Sequence, residues 1–441
     1  MSGLGAPGFP ERAVRARARA GTAEVFPAAD AYGAELFGAG GARGPAAGGG
    51  GAEATGALDA LDALRIAPPV FMPRRLEKLI DLGREPSYED VDLHTSVGGF
   101  AARLPLYLSA FGSTRAGSGD LGVAAGRQAA RLGIPMVIGE NMVPVHGYAR
   151  GGADGASRSA LLERVAAYAE AVPDGTGGVV VQQSTEDADS EVWNLLYSDP
   201  GTRALRDSGR LGFELKVGQG AKPGLGGMTV VAAAEAGRLA GRFAVRDLLG
   251  DGAGRQLRCA TPGTFTEEIV RQQLRFMRNN FPLARTWVKF HPGRDIARAA
   301  ATAWAAGADA VTVDGAEGGT GWAPRVFLDQ VGLPLGECLR RIGRPGGDLL
   351  ATGRIWEGGR AVRALALGAT AVGLGRAALL AVDEDGEDGL VRLAEALALE
   401  LRLLVSAVGK YRAADLDPED LWSPDAPVHA TRPSVPLGNP A

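Results

Sequence analysis

Cysteine is nearly missing: Cys259 and Cys338 are the whole supply in 441 residues. They stand far apart, outside any C-x-x-C spacing and away from any Cys/His cluster. That excludes a disulfide framework and leaves no pattern for a structural metal or an iron–sulfur cluster. Long apolar runs are also missing. None reaches the roughly 18 residues that a membrane span requires, although 46% of the residues are hydrophobic, a globular proportion. A strong charge of either sign is lacking too: the formal net charge is −4, which gives no basic field to collect nucleic acid by counterion release. No charged-then-apolar export signal opens the chain, because "ERAVRARARA" runs into a Gly/Ala-rich stretch. These absences predict a reducing, cytoplasmic setting with no nucleic-acid and no membrane partner.

What is present has a rhythm. Beyond residue 65, short apolar stretches recur at 104–112, 134–140, 177–184, 211–220, 286–292, 308–315, 348–354 and 369–377. Most intervals between them carry alanine-rich helical patterns, such as "DIARAAATAWAAGA" and "GGRAVRALALGA", whose last glycine suits a helix C-cap. Buried strands alternating with helices imply a parallel sheet. Eight units favour an α/β fold of the closed (β/α)8 TIM-barrel type, spanning residues 66–412. An N-terminal extension, 1–65, precedes it, with a mobile Gly/Ala-rich linker expected near 38–56. The arginines at 12, 15, 17 and 19 read as a solvated helix or extension. A tail, 413–441, follows a helix and a turn near Gly409.

In such barrels the chemistry collects on the loops that follow the strands. Three glycine-rich turns fall there: "GGTGWAP" (318–324), "ATGR" (351–354) and "GLGRA" (373–377). Gly318, Gly319, Gly353, Gly373 and Gly375 permit close backbone approach, and Arg354 and Arg376 add charge, so a phosphorylated ligand is predicted. Tight βα turns alone would use glycine in the same way.

Lys289 and His291, two apart, are expected to share a face of their strand. A lysine at that place needs an anion, a polarised ligand atom such as that of a flavin ring, or a neighbouring carboxylate. His291 reads equally as a packed residue or a catalytic one. Lys216 and Lys222 flank the loop "KVGQGAKPG" and suit a carboxylate-bearing substrate, with a solvent-facing Lys222 as the alternative.

That loop, continued as "KVGQGAKPGLGG" (216–227), resembles the signature of the FMN-binding domain of the glutamate synthase family. "DGAEGGTGWAP" (314–324), "SAFGS" (109–113) and "ATGRIWEGGRAVRALALGATAVGLGRAAL" (351–379) resemble companion segments in the same order. The resemblance runs from about Ile66 to Arg412.

It implies FMN held by Ser109 and Ala110 on the first strand, by Gln183 and Lys289 beside the ring, and by the glycine loops and Arg376 at the phosphate. It implies substrate-binding roles for Lys216 and Lys222 and an acidic group, Glu140 in "IGEN", near the reacting centre. The chemistry implied is imine reduction or amine oxidation on an amino acid or amine-derived metabolite.

Three departures accompany the match. The segment "GRAALLAVDEDGEDGL" (375–390) lacks the family's iron–sulfur cysteines, so no iron–sulfur cluster is expected. No glutaminase domain is expected ahead of the barrel. Leu225, Met228 and "ATPGTFTEEI" (260–269) replace polar segments of the family's substrate pocket, so the substrate is expected to differ. Electrons would come from NAD(P)H, a separate reductase or the substrate itself, and a homo-oligomer is compatible with all of this. Two rival readings are a flavin-dependent isomerase without net redox and a barrel that binds a phosphometabolite without catalysis.

Overall fold

The computed structural model describes residues 4–6, 8–26, 60–111, 115–116, 119–139, 153–184, 192–218, 220, 229–241, 243–247, 254–258, 266–320 and 323–424. Eight strands close a barrel: β1 (Leu106–Phe111), β2 (Met136–Ile138), β3 (Val179–Ser184), β4 (Leu211–Lys216), β5 (Arg285–Phe290), β6 (Ala310–Asp314), β7 (Asp348–Thr352) and β8 (Ala371–Leu374). Every barrel pairing is parallel, and β8 meets β1 to seal the ring. The eight apolar stretches of the sequence each supply one strand, and the fold is a (β/α)8 TIM barrel.

Alternation along these strands divides the core in two. Outward residues such as Leu106, Val179, Phe290, Val311 and Leu349 join the helices in the larger apolar cluster. Inward residues at the N-terminal end, Tyr107, Val137, Val180, Trp287, Ala310, Leu350 and Ala371, form the smaller one. A hairpin ahead of the barrel, Thr95–Val97 paired with Phe100–Ala102, plugs this lower end. Its turn residue Gly98 takes φ 57°, and a Cβ there would collide with the Trp287 indole. The indole N–H donates to the Gly98 carbonyl at 2.9 Å, and Phe100 packs against the same ring at 5.7 Å between centroids.

The helix ends follow the sequence. Gly307 and Gly368 take φ of 92° and 103° just past helices Ile296–Ala305 and Gly358–Ala366, the left-handed conformation that glycine adopts without steric cost. An excursion between β4 and β5 forms a small antiparallel sheet from Thr229–Ala232, Val245–Arg246 and Arg255–Arg258.

The flanking segments also join the barrel. Arg65–Ile66 pairs antiparallel with Leu421–Trp422. The arginine-bearing segment, expected to be solvated, is a docked helix, Glu11–Ala20. Its Val14 and Ala18 are fully buried, and it packs against the helix after β8, Arg376–Glu384, and the last helix, Gly389–Ala407. Two of its arginines turn inward onto carboxylates, Arg15 to Asp383 at 2.8 Å and Glu384 at 3.0 Å and Arg17 to Glu400 at 2.6 Å, whereas Arg12 and Arg19 are exposed. The Gly/Ala-rich stretch near 38–56 lies outside the described residues.

Candidate active site

Polar residues replace apolar ones where the inward faces approach the C-terminal end of the barrel. Gln182 of β3 donates to Glu214 Oε2 at 2.5 Å, and Thr312 of β6 donates to Glu214 Oε1 at 2.7 Å. Beside them, Lys289 Nζ stands 3.1 Å from Asp314 Oδ2, with both side chains about 6% exposed. Thr352 of β7 donates to the other oxygen of Asp314. The lysine thus has a carboxylate neighbour, one of the alternatives its position left open. Burial pushes the Glu214 carboxyl above the usual carboxylate range, while Lys289, Thr312 and Gln182 pull it back. Below this layer, burial raises the Tyr107 phenol well above its ordinary value, with Glu214 and Asp314 adding to the effect.

Above the layer opens a cavity of about 410 Å³, within the size range of small-molecule sites. Ser109 and Ala110 of β1, Lys216 of β4 and Lys289 of β5 line it. So do Gly318 and Gly319 after β6, Gly353 and Arg354 after β7, and Gly373, Gly375 and Arg376 at β8. The sequence scattered these residues over more than 260 positions, and the barrel brings them to one opening.

The loops have distinct reasons for their glycines. Gly373 must stay small because a Cβ would meet the Tyr107 ring and the Thr352 side chain. Gly319 and Gly375 have nothing within 4 Å of where a Cβ would stand; both line the cavity, and Gly375 caps the N-terminus of helix Arg376–Glu384. No side chain caps this helix start, and a helix N-terminus favours an anion. Arg354 has φ 55°, and among the described residues it alone is a non-glycine with positive φ. A side chain there costs about 1–2 kcal/mol, a strain of the kind that collects at functional sites.

Two expected residues fall elsewhere. Gln182, not Gln183, lines the cavity, because Gln182 pairs across Glu214 on the inward face and its neighbour is turned outward by the pleat. His291 is not among the lining residues. The strand ends at Phe290, so the two-residue period that would have aligned His291 with Lys289 no longer applies. Its Nδ1 is buried without a hydrogen-bond partner, and burial lowers the imidazole pKa while Asp295 opposes the shift. Glu140 and Lys222 lie outside the described residues, as do Leu225, Met228 and Cys259.

Three contributors carried no sequence signal strong enough to single them out. Phe9, from the N-terminal segment, lines the cavity. Glu317 lines it as well and accepts from Arg360 at 2.6 Å. Arg360 is fully buried; it also donates to the Gly353 carbonyl at 3.1 Å and to Asp62 at 2.7 Å. One guanidinium therefore ties the loops after β6 and β7 to the segment ahead of the barrel. Among the described residues no group of three or more His, Cys, Asp or Glu could hold a metal ion, and no helix is long and apolar enough to cross a membrane.

The fold and this opening define a (β/α)8 barrel whose polar core leads up to a mouth lined by Lys216, Lys289, Arg354 and Arg376. The family model for the conserved region in glutamate synthase matches residues 157–384, just over half of the chain. The chain belongs to the glutamate synthase family. It is 31% identical over 278 residues to a glutamate synthase large subunit-like protein of Rhizobium meliloti (strain 1021), covering 60% of each chain. It is 30% identical over 188 residues to an archaeal-type glutamate synthase [NADPH] of Dehalococcoides mccartyi, covering 40% of this chain and 36% of that one. The matches thus span less than two thirds of either relative. Among solved structures, a soluble mutant of the membrane-associated (S)-mandelate dehydrogenase from Pseudomonas putida aligns with TM-score 0.53 at 19% identity, covering 94% of this chain and 99% of that one. That likeness is one of fold.

Proposed function

We propose that the chain is an FMN-dependent oxidoreductase of the glutamate-synthase type, acting on a C–N bond of an amino acid or amine-derived metabolite. The observation that carries this reading is the cavity in which Lys216, Lys289, Arg354 and Arg376 meet three glycine-lined loop ends. The residues present suit FMN. Gly319 and Gly375 have open space where a side chain would stand at the mouth, which leaves room for a phosphate, with Gly318, Gly353, Gly373 and the two arginines around it. Ser109, Ala110, Gln182 and Lys289 would hold the ring. FMN, when bound, supplies reversible hydride acceptance, which no side chain offers.

The chain's own residues prepare that site. Asp314 and Thr352 fix the Lys289 ammonium at the cavity floor, so a positive charge is in place without reorganisation when a ligand arrives. Glu214, held by Gln182 and Thr312, fixes the polar layer beneath the lysine. Lys216 lies next to Lys289 in register and lines the same cavity, a placement suited to a substrate carboxylate. Lys222 and Glu140 complete the proposal through the family resemblance, as second anion clamp and as acid or base. The proposal extends to a cytoplasmic enzyme without an iron–sulfur cluster, drawing electrons from NAD(P)H, a separate reductase or the substrate itself.

The test is the visible spectrum of the purified protein, with release and identification of the chromophore and anaerobic screening of amines and imines. FMN bands bleached by an amine are the expected result. A colourless protein that FMN cannot reconstitute would overturn the reading, and turnover that consumes no external electron donor or acceptor would replace it with an isomerase.

A further inference from the structure

The first described residues of the chain end at the anion side of the cavity. The Leu4 N–H donates to Asp383 Oδ2 at 3.0 Å, near the C-terminal end of helix Arg376–Glu384. Phe9 lines the cavity, and the Arg376 guanidinium, at the other end of that helix, stands 5.9 Å from the Phe9 ring centroid. A nine-residue helix is about 13 Å long. Leu4 thus sits by the C-terminal end of the helix, and Phe9, after a turn closed by its N–H on the Ala6 carbonyl, sits by the N-terminal residue that lines the cavity.

It is fastened at its far end and turned at its near one. Arg15 donates to the Leu4 carbonyl at 2.7 Å, to Asp383 at 2.8 Å and to Glu384 at 3.0 Å. Glu11 accepts from the Ala6 N–H at 2.9 Å and from Arg15 at 3.0 Å. Phe9 is half-buried against the main core, so its ring is held in place beside an arginine that is itself exposed. Strap, helix start and guanidinium converge on one end of the opening.

We propose that this strap is a working part of the ligand site, with Phe9 as the positioning residue that holds the Arg376 guanidinium for the phosphate of the ligand; the proposal rests on the FMN reading above. The ring restricts an otherwise mobile cation by a contact over its face and shields that end of the cavity from water. Arg15 secures the strap and has no direct role at the ligand.

The test compares FMN with riboflavin, which lacks the phosphate, by equilibrium binding and by dissociation rate on the deflavinated full chain. Phe9→Ala is expected to weaken FMN about two- to fivefold, mostly through faster release, the effect of losing an exposed cation–π contact, and to leave riboflavin unchanged. Arg15→Ala should reproduce the split by freeing the strap. Phe9→Leu retains the apolar packing without the ring and controls for stability; it should share the loss for FMN while keeping the thermal midpoint. Equal FMN release from wild type and Phe9→Ala would overturn the proposal, and so would equal losses for both ligands, which would make Phe9 a packing residue. A wild type that binds neither ligand would instead overturn the cofactor reading, and the strap's role with it.

Discussion

The two ends of the barrel are built from the same strands by opposite rules. At the lower end Trp287, Phe100 and Tyr107 fill the interior with aromatic surface, and the turn of the plug is pinned by the Trp287 indole N–H on the Gly98 carbonyl and by the Gly98 N–H on Asp348. Two residues further along the same strands, Tyr107 gives way to Ser109, Val180 to Gln182 and Trp287 to Lys289. The lower end maximises burial, whereas the upper end retains charges that burial opposes. A barrel of this kind concentrates its stability where it does no chemistry, and so tolerates a strained and polar rim.

The comparison can be broken most severely from below. Trp287→Ala should lower unfolding free energy by about 3–5 kcal/mol, seen as a shifted urea midpoint. Flavin bound per folded molecule should stay near the wild-type value. A loss of flavin without a loss of stability would show that the ends are not separable.

From above, Lys289→Met leaves Asp314 buried without its cation and should cost about 3 kcal/mol. The double change Lys289→Met with Asp314→Leu should recover most of that stability, because a buried ion pair is worth little more than a well-packed apolar pair. The double variant should still fail to hold a reducible flavin. Denaturation curves and cofactor content separate the two effects.

A smaller effect is expected at Arg354. With φ at 55°, Arg354→Gly should stabilise the chain by about 1 kcal/mol while weakening a phosphate ligand, so thermal midpoint and affinity move in opposite directions. Smallest is the titration of His291. Burial depresses its pKa below the ordinary 6.5, so between that lowered value and 6.5 the unfolded chain binds more protons than the folded one. Stability should therefore rise with pH across this window and fall as acid is added. His291→Gln should flatten that slope in a pH series of urea melts.

Much of the barrel was legible because each strand is a short apolar run bounded by glycine or a polar cluster; "ADAVTVDG" holds Ala310–Asp314 almost letter for letter. The loop ends followed from the strands, since period-two alternation and barrel topology say where side chains gather. What stayed illegible depended on phase and on distance. Gln182 and Gln183 are the same residue type side by side, and only the pairing with Glu214 selects the inward one. Arg360 sits in an alanine-rich helix like any solvated arginine until Glu317, Gly353 and Asp62 surround it. Phe9 lies in a segment with no strand pattern, more than 360 positions from the arginine it faces.

That distance bears on how the molecule is completed. Helix Glu11–Ala20 packs on Arg376–Glu384 and Gly389–Ala407, so the arm binds residues that are translated more than 350 positions after it. At the usual pace of synthesis the arm waits on the order of tens of seconds for its partner, with Val14 and Ala18 uncovered meanwhile. Docking of the arm is therefore a late event in the life of each chain, and a nascent protein halted before its eighth unit would have nowhere to put it.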